Sequence, residues 1–241
     1  MPDPIFADRR LAEHYDVFNA DRSDLDAYAS LVAELGARSV LDVGCGTGTF
    51  ACRLADAGLD VVGVDPAAAS LDVARRKPGA DRVRWVLAEA TTLPPLQMDV
   101  ATMTGNVAQV FLTDEAWSAT LLGVRGALLP GGRLVFEVRD PSRAAWRAWN
   151  PDESFERTEI PGLGTVEHWA DVIDISGQLV TFRWTFRFDG GESITSDSTL
   201  RFRERDEVEA SLRGAGFEVR EVRDAPDRPG LELVFLAERA A

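Results

Sequence analysis

Residues 40–50 read VLDVGCGTGTF, and the fold follows from how this stretch is parsed. From Ser39 to Val43 the residues are mostly apolar and alternate, which suits a strand buried in a sheet. The run then breaks into Gly44, Gly46 and Gly48 at alternate positions. Glycine admits positive φ and lets a ligand approach the backbone, because it has no Cβ. A helical pattern of Phe50, Leu54 and Ala57 follows at once and stops at Gly58. Strand, glycine turn and helix N-terminus in that order form a nucleotide cradle, with amide N–H groups pointing at the ligand.

Two cofactor readings compete for such a cradle. The dinucleotide pattern G-x-G-x-x-G needs Gly or Ala at its sixth position, where this chain has Thr49. What it has instead is Asp42, just ahead of the first glycine. A carboxylate there repels a pyrophosphate and attracts a cation. The stretch therefore resembles motif I of the class I S-adenosylmethionine (SAM)-dependent methyltransferases, whose cofactor carries a sulfonium and an ammonium and no phosphate.

Downstream residues extend the resemblance. A second strand, Leu59 to Val64, ends in Asp65, close to the spacing at which a carboxylate meets ribose hydroxyls. Pro66 and the run Ala67–Ala69 start a helix. A third strand, Val83 to Leu87, runs into AEATTLP, where the resemblance implies that Glu89 accepts from the adenine amino group and Ala90 adds a backbone contact. A fourth strand, Met98 to Met103, leads into Thr104, Gly105 and Asn106 at the carboxyl end, where ligand crevices lie. Asn106 and Gln109 are thus candidates for contacting the reacting groups. Trp117, Leu121, Val124 and Leu128 mark a helix face, and LLPGGRLVFEV, followed by Arg139, resembles the family's L-x-P-G-G turn and fifth strand. The cofactor set implied is Tyr15, Asp42, Gly44, Cys45, Gly46, Gly48, Asp65, Pro66, Glu89, Ala90, Thr104 and Gly105.

Outside residues 40–138 the resemblance is architectural. Leu11, Tyr15 and Phe18 share a helical face, and HYDVFN resembles an N-terminal element in which a tyrosine covers SAM, so residues 1–22 are expected to act as a lid. Ser23 is placed to cap the next helix, whose apolar stripe is Leu25, Tyr28, Ala29, Val32 and Leu35. Trp146 and Trp149 suggest a short helix. Residues 153–203 read as antiparallel strands, with Val180, Phe182, Trp184, Phe186 and Phe188 alternating with polar residues and a hairpin turn at Asp189 to Glu192. A helix on Val208, Leu212 and Ala215 and a hairpin of Phe217–Arg223 with Leu231–Ala237 close the chain. The fold expected is α/β: a Rossmann-like, doubly wound, seven-stranded sheet, mostly parallel with an antiparallel C-terminal hairpin, carrying an inserted antiparallel β-ribbon over the acceptor pocket. At 241 residues this is one domain.

Composition narrows the function. The net charge is −14, and Lys77 is the single lysine. Nucleic acid and anionic membranes are held by dense basic patches, so neither is expected as a partner. No apolar stretch approaches a membrane span and the N-terminus shows no secretory signal, which points to the cytoplasm. Cys45 and Cys52 match no redox or metal spacing, and with only His14 and His168 no metal site is expected. The reading is a methyltransferase that moves a methyl group from SAM to a small-molecule acceptor on N, O or carboxylate, leaving S-adenosylhomocysteine (SAH), as a monomer or homodimer. Candidate catalytic residues are His168, Asn106 and Tyr15. Candidate acceptor contacts are Asn106, Gln109, Arg139, His168 and Arg183, with Arg187 beside the last on the ribbon. A SAM-binding protein without methyl transfer is the alternative, and an NAD(P)-dependent oxidoreductase ranks below it.

Overall fold

The computed structural model describes residues 2–240. A seven-stranded sheet forms the centre, in the order β10-β11-β5-β4-β1-β2-β3. Its parallel strands are β1 (Ser39–Val43), β2 (Asp60–Asp65), β3 (Val83–Leu87), β4 (Met98–Met103) and β5 (Leu128–Arg139). The antiparallel pair β10 (Phe217–Asp224) and β11 (Glu232–Arg239) continues it, with β11 against β5. Order reverses at β1, so the crevice at the strands' carboxyl ends opens beside the glycine turn.

One face of the sheet packs Leu41, Val43, Met103, Trp117, Leu121 and Phe136 with α6 (Asp114–Ala127) and α8 (Arg205–Gly214). The other packs Val40, Val61 and Val100 against α3 (Asp24–Glu34) and α4 (Thr49–Asp56). Burial on both faces explains the near-continuous apolar runs in these strands. The helix after β2, α5 (Ala68–Ala74), begins beyond Pro66 rather than on it. Ser23 makes no side-chain cap. The Trp146–Trp149 region is a 3-10 turn, Ala145–Ala148, followed by the short α7 (Pro151–Ser154).

A second sheet, β6-β7-β8-β9, is wholly antiparallel: β6 (Glu156–Ile160), β7 (Gly164–Ser176), β8 (Leu179–Phe188) and β9 (Ser193–Arg201). Its apolar face, with Val166 and Phe186, meets α1 (Pro4–Ala7) and α2 (Arg9–Phe18) through Ile5 and fully buried Leu11. The N-terminal helices are therefore a wedge between the sheets, not a free flap. Among the described residues no helix is long and apolar enough to cross a membrane.

Candidate active site

The glycine turn follows β1 and enters α4. Gly44 has φ +72°, and a Cβ there would lie 2.6 Å from Val107 Cγ2. Gly48 has φ +78° and abuts Trp85 and Ala74, so larger residues at either position would push apart the elements that frame the turn. The amides do not behave as the strand–turn–helix pattern suggests. Gly44 and Cys45 both donate to Val64 C=O, at 2.8 and 3.1 Å, and Gly46 donates to Asp65 Oδ2 at 2.8 Å. The N–H groups a pyrophosphate would need at these three residues are already engaged within the protein.

Above the turn lies a cavity of about 750 Å³. Asp42, Asp65, Glu89, Asp3 and Asp197 line it, and among the described residues Arg22 is its only cation, paired at 3.1 Å with Asp24. Its apolar wall includes Phe6, Val107, Val110, Phe111 and Leu112. Asp42 is 1% exposed; Thr102 Oγ1 donates to its Oδ1 at 3.0 Å, while Oδ2 has no partner among the described residues. Burial, assisted by the Asp65 charge, pushes the Asp42 carboxyl up to about 7 although the Thr102 hydroxyl opposes this. Burial also raises Asp65, against the N–H groups of Ala67 and Gly46 that favour its anion. An unpartnered buried carboxylate oxygen in an acidic cavity suits a cationic ligand. Burial raises the Cys45 thiol as well, so this residue lines the cavity as an unreactive wall.

Tyr15, Asp42, Gly44, Cys45, Gly46, Asp65, Pro66, Glu89, Ala90, Thr104 and Gly105 all line this cavity. Gly48 instead forms the turn behind it. Tyr15 reaches it from α2, its ring 5.6 Å from Phe6, and burial raises its phenol. Asp16, next along α2, clasps the glycine turn: Thr47 Oγ1 donates to Asp16 Oδ1 at 2.6 Å, and Lys77 Nζ lies 2.6 Å from Asp16 Oδ2.

Of the acceptor candidates, Asn106, Gln109 and Arg139 meet in one cluster around Glu232 that does not line the cavity, and His168 and Arg183 lie apart from it. His168 is enclosed among Phe18, Trp184 and Phe186, 3.0 Å from Thr158 Oγ1, and burial lowers its basicity; it does not line the cavity. Its strand face turns toward α2, which period-two alternation left undetermined. Asn106 points behind the wall to Glu137 and Glu232, and Gln109 Oε1 accepts from Arg139 at 3.1 Å. Arg183 holds Asp197 through two contacts of 2.6 and 2.7 Å, and Arg187 pairs with Glu167. Asp197 and Thr199, on the edge strand β9, line the cavity and escaped notice in the sequence. Their signal was the weak alternation of Thr195, Asp197 and Thr199.

Residues 40–132 match the family described as a methyltransferase domain. The cypemycin N-terminal methyltransferase of a Streptomyces species is 35% identical over 146 residues, 59% of this chain and 60% of that protein. The demethylmenaquinone methyltransferase of Clavibacter sepedonicus is 36% identical over 107 residues, 43% of this chain and 42% of its own. The chain thus spans 60% or less of the length of these curated relatives. Among solved structures, the CcbJ methyltransferase of Streptomyces caelestis superposes with a TM-score of 0.75 at 24% identity, covering 94% of this chain and 96% of that one. The sugar N-methyltransferase KedS8 from Streptoalloteichus gives 0.75 at 22%, covering 94% and 93%. These two likenesses speak for the fold.

Proposed function

From the match of residues 40–132 to the methyltransferase-domain family, we propose that the chain is a class I SAM-dependent methyltransferase that transfers a methyl group from SAM to the amine of a small molecule. The observation that carries the amine is the cavity lining: Asp3, Asp42, Asp65, Glu89 and Asp197 face Arg22, whose charge Asp24 already answers. The arginines read from the sequence as acceptor contacts are engaged too, Arg183 by Asp197 and Arg139 by Glu232 and Gln109. A carboxylate or phosphate acceptor would find no free cation among them.

The acidic lining supports a reading in which Asp42 would face the cationic end of SAM, Asp65 its ribose and Glu89 its adenine. Bound SAM supplies a methyl group on a good leaving group, open to in-line displacement by a lone pair. The chain's part is alignment and exclusion of water. Tyr15 and Phe6 close one side, and Phe111 and Leu112 the other. His168 is outside the cavity, so it takes no proton from the acceptor there. An acceptor amine enters unprotonated, or gives its proton to water or to a lining carboxylate before the methyl group moves.

The experiment is SAH formation, followed by mass spectrometry, against matched panels of small amines, phenols and carboxylates. Turnover with amines alone is expected. Turnover confined to carboxylates or phenols would sink the amine assignment, and SAM binding with no turnover on any panel would favour a SAM-binding protein without transfer.

A further inference from the structure

Behind the cavity wall lies a largely buried polar cluster whose members do not line the cavity. Glu137, near the carboxyl end of β5, is 2% exposed and accepts the Asn106 N–H. Glu232, at the start of β11, accepts from Asn106 Nδ2 at 3.2 Å and from Arg228 at 2.7 Å, with Arg139 Nε at 3.7 Å. The Tyr28 hydroxyl of α3 also acts on Glu137. Asn106 has φ +62°, a left-handed conformation that asparagine takes more readily than most residues and glycine takes more readily still. The next residue, Val107, fills the space where a Gly44 Cβ would stand. Asn106 is therefore the pivot between the buried cluster and the wall that Thr104, Gly105 and Val107 present to the cavity.

We propose that Glu137 is a positioning residue of this site: it holds Asn106 in its left-handed turn, and so sets the wall against the glycine loop, and it does this as a neutral acid. The proposal rests on the SAM-binding reading. Two buried acceptors, Asn106 Oδ1 and Glu137 Oε2, have no partner among the described residues. An ionised Glu137 would add a buried charge beside Glu232 while its Oε2 stays without a partner within hydrogen-bond distance, whereas a protonated carboxyl carries no charge and brings a donor of its own. Burial first, and then the Glu232 charge, push Glu137 up to about 7, against the Asn106 N–H and the Tyr28 hydroxyl. Arg139 and Arg228 are turned to Glu232.

Calorimetric titration with SAH needs no acceptor and reads the wall directly. Glu137→Gln keeps an acceptor for Asn106 and a permanent donor. It is expected to bind SAH within about twofold of wild type near pH 6, while near pH 8.5 wild type falls roughly tenfold behind it, since each pH unit past the carboxyl's ionisation changes the neutral fraction tenfold. Glu137→Leu should lose roughly tenfold at every pH, and adding Asn106→Gly should restore part of it, because glycine takes positive φ unaided. A merely structural role would move melting temperature without that rescue. Parallel pH profiles for wild type and Glu137→Gln, or wild-type affinity in Glu137→Leu, would overturn the proposal. If Glu137→Leu does not fold, the Gln comparison decides alone. Failure of wild type to bind SAH at any pH would take down the SAM reading itself, and this proposal with it.

Discussion

Asp42 sits at the end of β1 because an apolar strand must stop where the ligand crevice opens, and the last inward position before the glycines faces that crevice. Its titration makes both stability and cofactor affinity depend on pH. In the folded chain its carboxyl moves from 3.8 up to about 7, so the native state holds a proton that the unfolded state releases. The unliganded protein therefore loses stability from this group as pH rises between those values. A cationic ligand reverses the preference, since it pairs with the anion. With the Glu137 titration removed by Glu137→Gln, SAM affinity should rise as pH climbs through about 7, and SAM should raise the melting temperature more at pH 8 than at pH 6. Asp42→Asn should weaken SAM by ~1–3 kcal/mol at pH 8, the usual loss for a charged hydrogen bond, and flatten the acid limb. Calorimetry at three pH values checks both, and an acid limb that survives in Asp42→Asn would remove Asp42 as its source.

At the scale of elements, α2 and the glycine turn make a single mechanical unit. Lys77 Nζ touches Asp16 Oδ2 and Thr47 Oγ1, at 2.6 and 3.3 Å, and Thr47 returns a hydrogen bond to Asp16. Lys77 is the chain's only lysine, so amine-selective acylation reports on this clasp with one internal signal. SAH should slow labelling of Lys77, and Asp16→Asn should speed it and weaken SAH by about 0.5–1.5 kcal/mol, the range for a partly shielded charged contact. Equal labelling with and without SAH would mean that α2 does not tighten on the ligand. Leu11 of the same helix lies in the core against Phe186, so deleting the N-terminal helices should cost stability as well as activity, contrary to a lid read from HYDVFN alone. That difference shows where sequence stops being informative. The strands Val83–Leu87 and Met98–Met103 carry their limits in apolar runs and flanking breakers, and the three glycines mark the turn between β1 and α4. Glu137 was visible only as a lone acid inside LVFEV, and its partner Glu232 lies across a β5–β11 register that no local pattern encodes. His168 was misplaced for the same reason: alternation gives two faces and not the neighbour each one meets.

The whole molecule joins three layers at one point: the carboxyl ends of β1, β2 and β4, the wedge of α1 and α2, and the edge strand β9 all border the cavity. Over this assembly the chain spreads a net charge of −14, and the cavity concentrates carboxylates within it. A field of one sign focused by a cleft steers ligands of the opposite sign and weakens as salt rises. SAM and SAH provide a matched pair for testing this, because they differ in the sulfonium charge and share nearly all remaining contacts. Raising ionic strength from roughly 0.02 to 0.5 M should slow SAM association by about 3–10-fold and SAH association much less. Dissociation rates, set inside the cavity where salt screens poorly, should change little for either. Stopped-flow binding at four salt concentrations gives all of these rates. Equal salt slopes for SAM and SAH would show that the overall charge does not guide the cofactor, and would leave its recognition to Asp42, Asp65 and Glu89 at contact range.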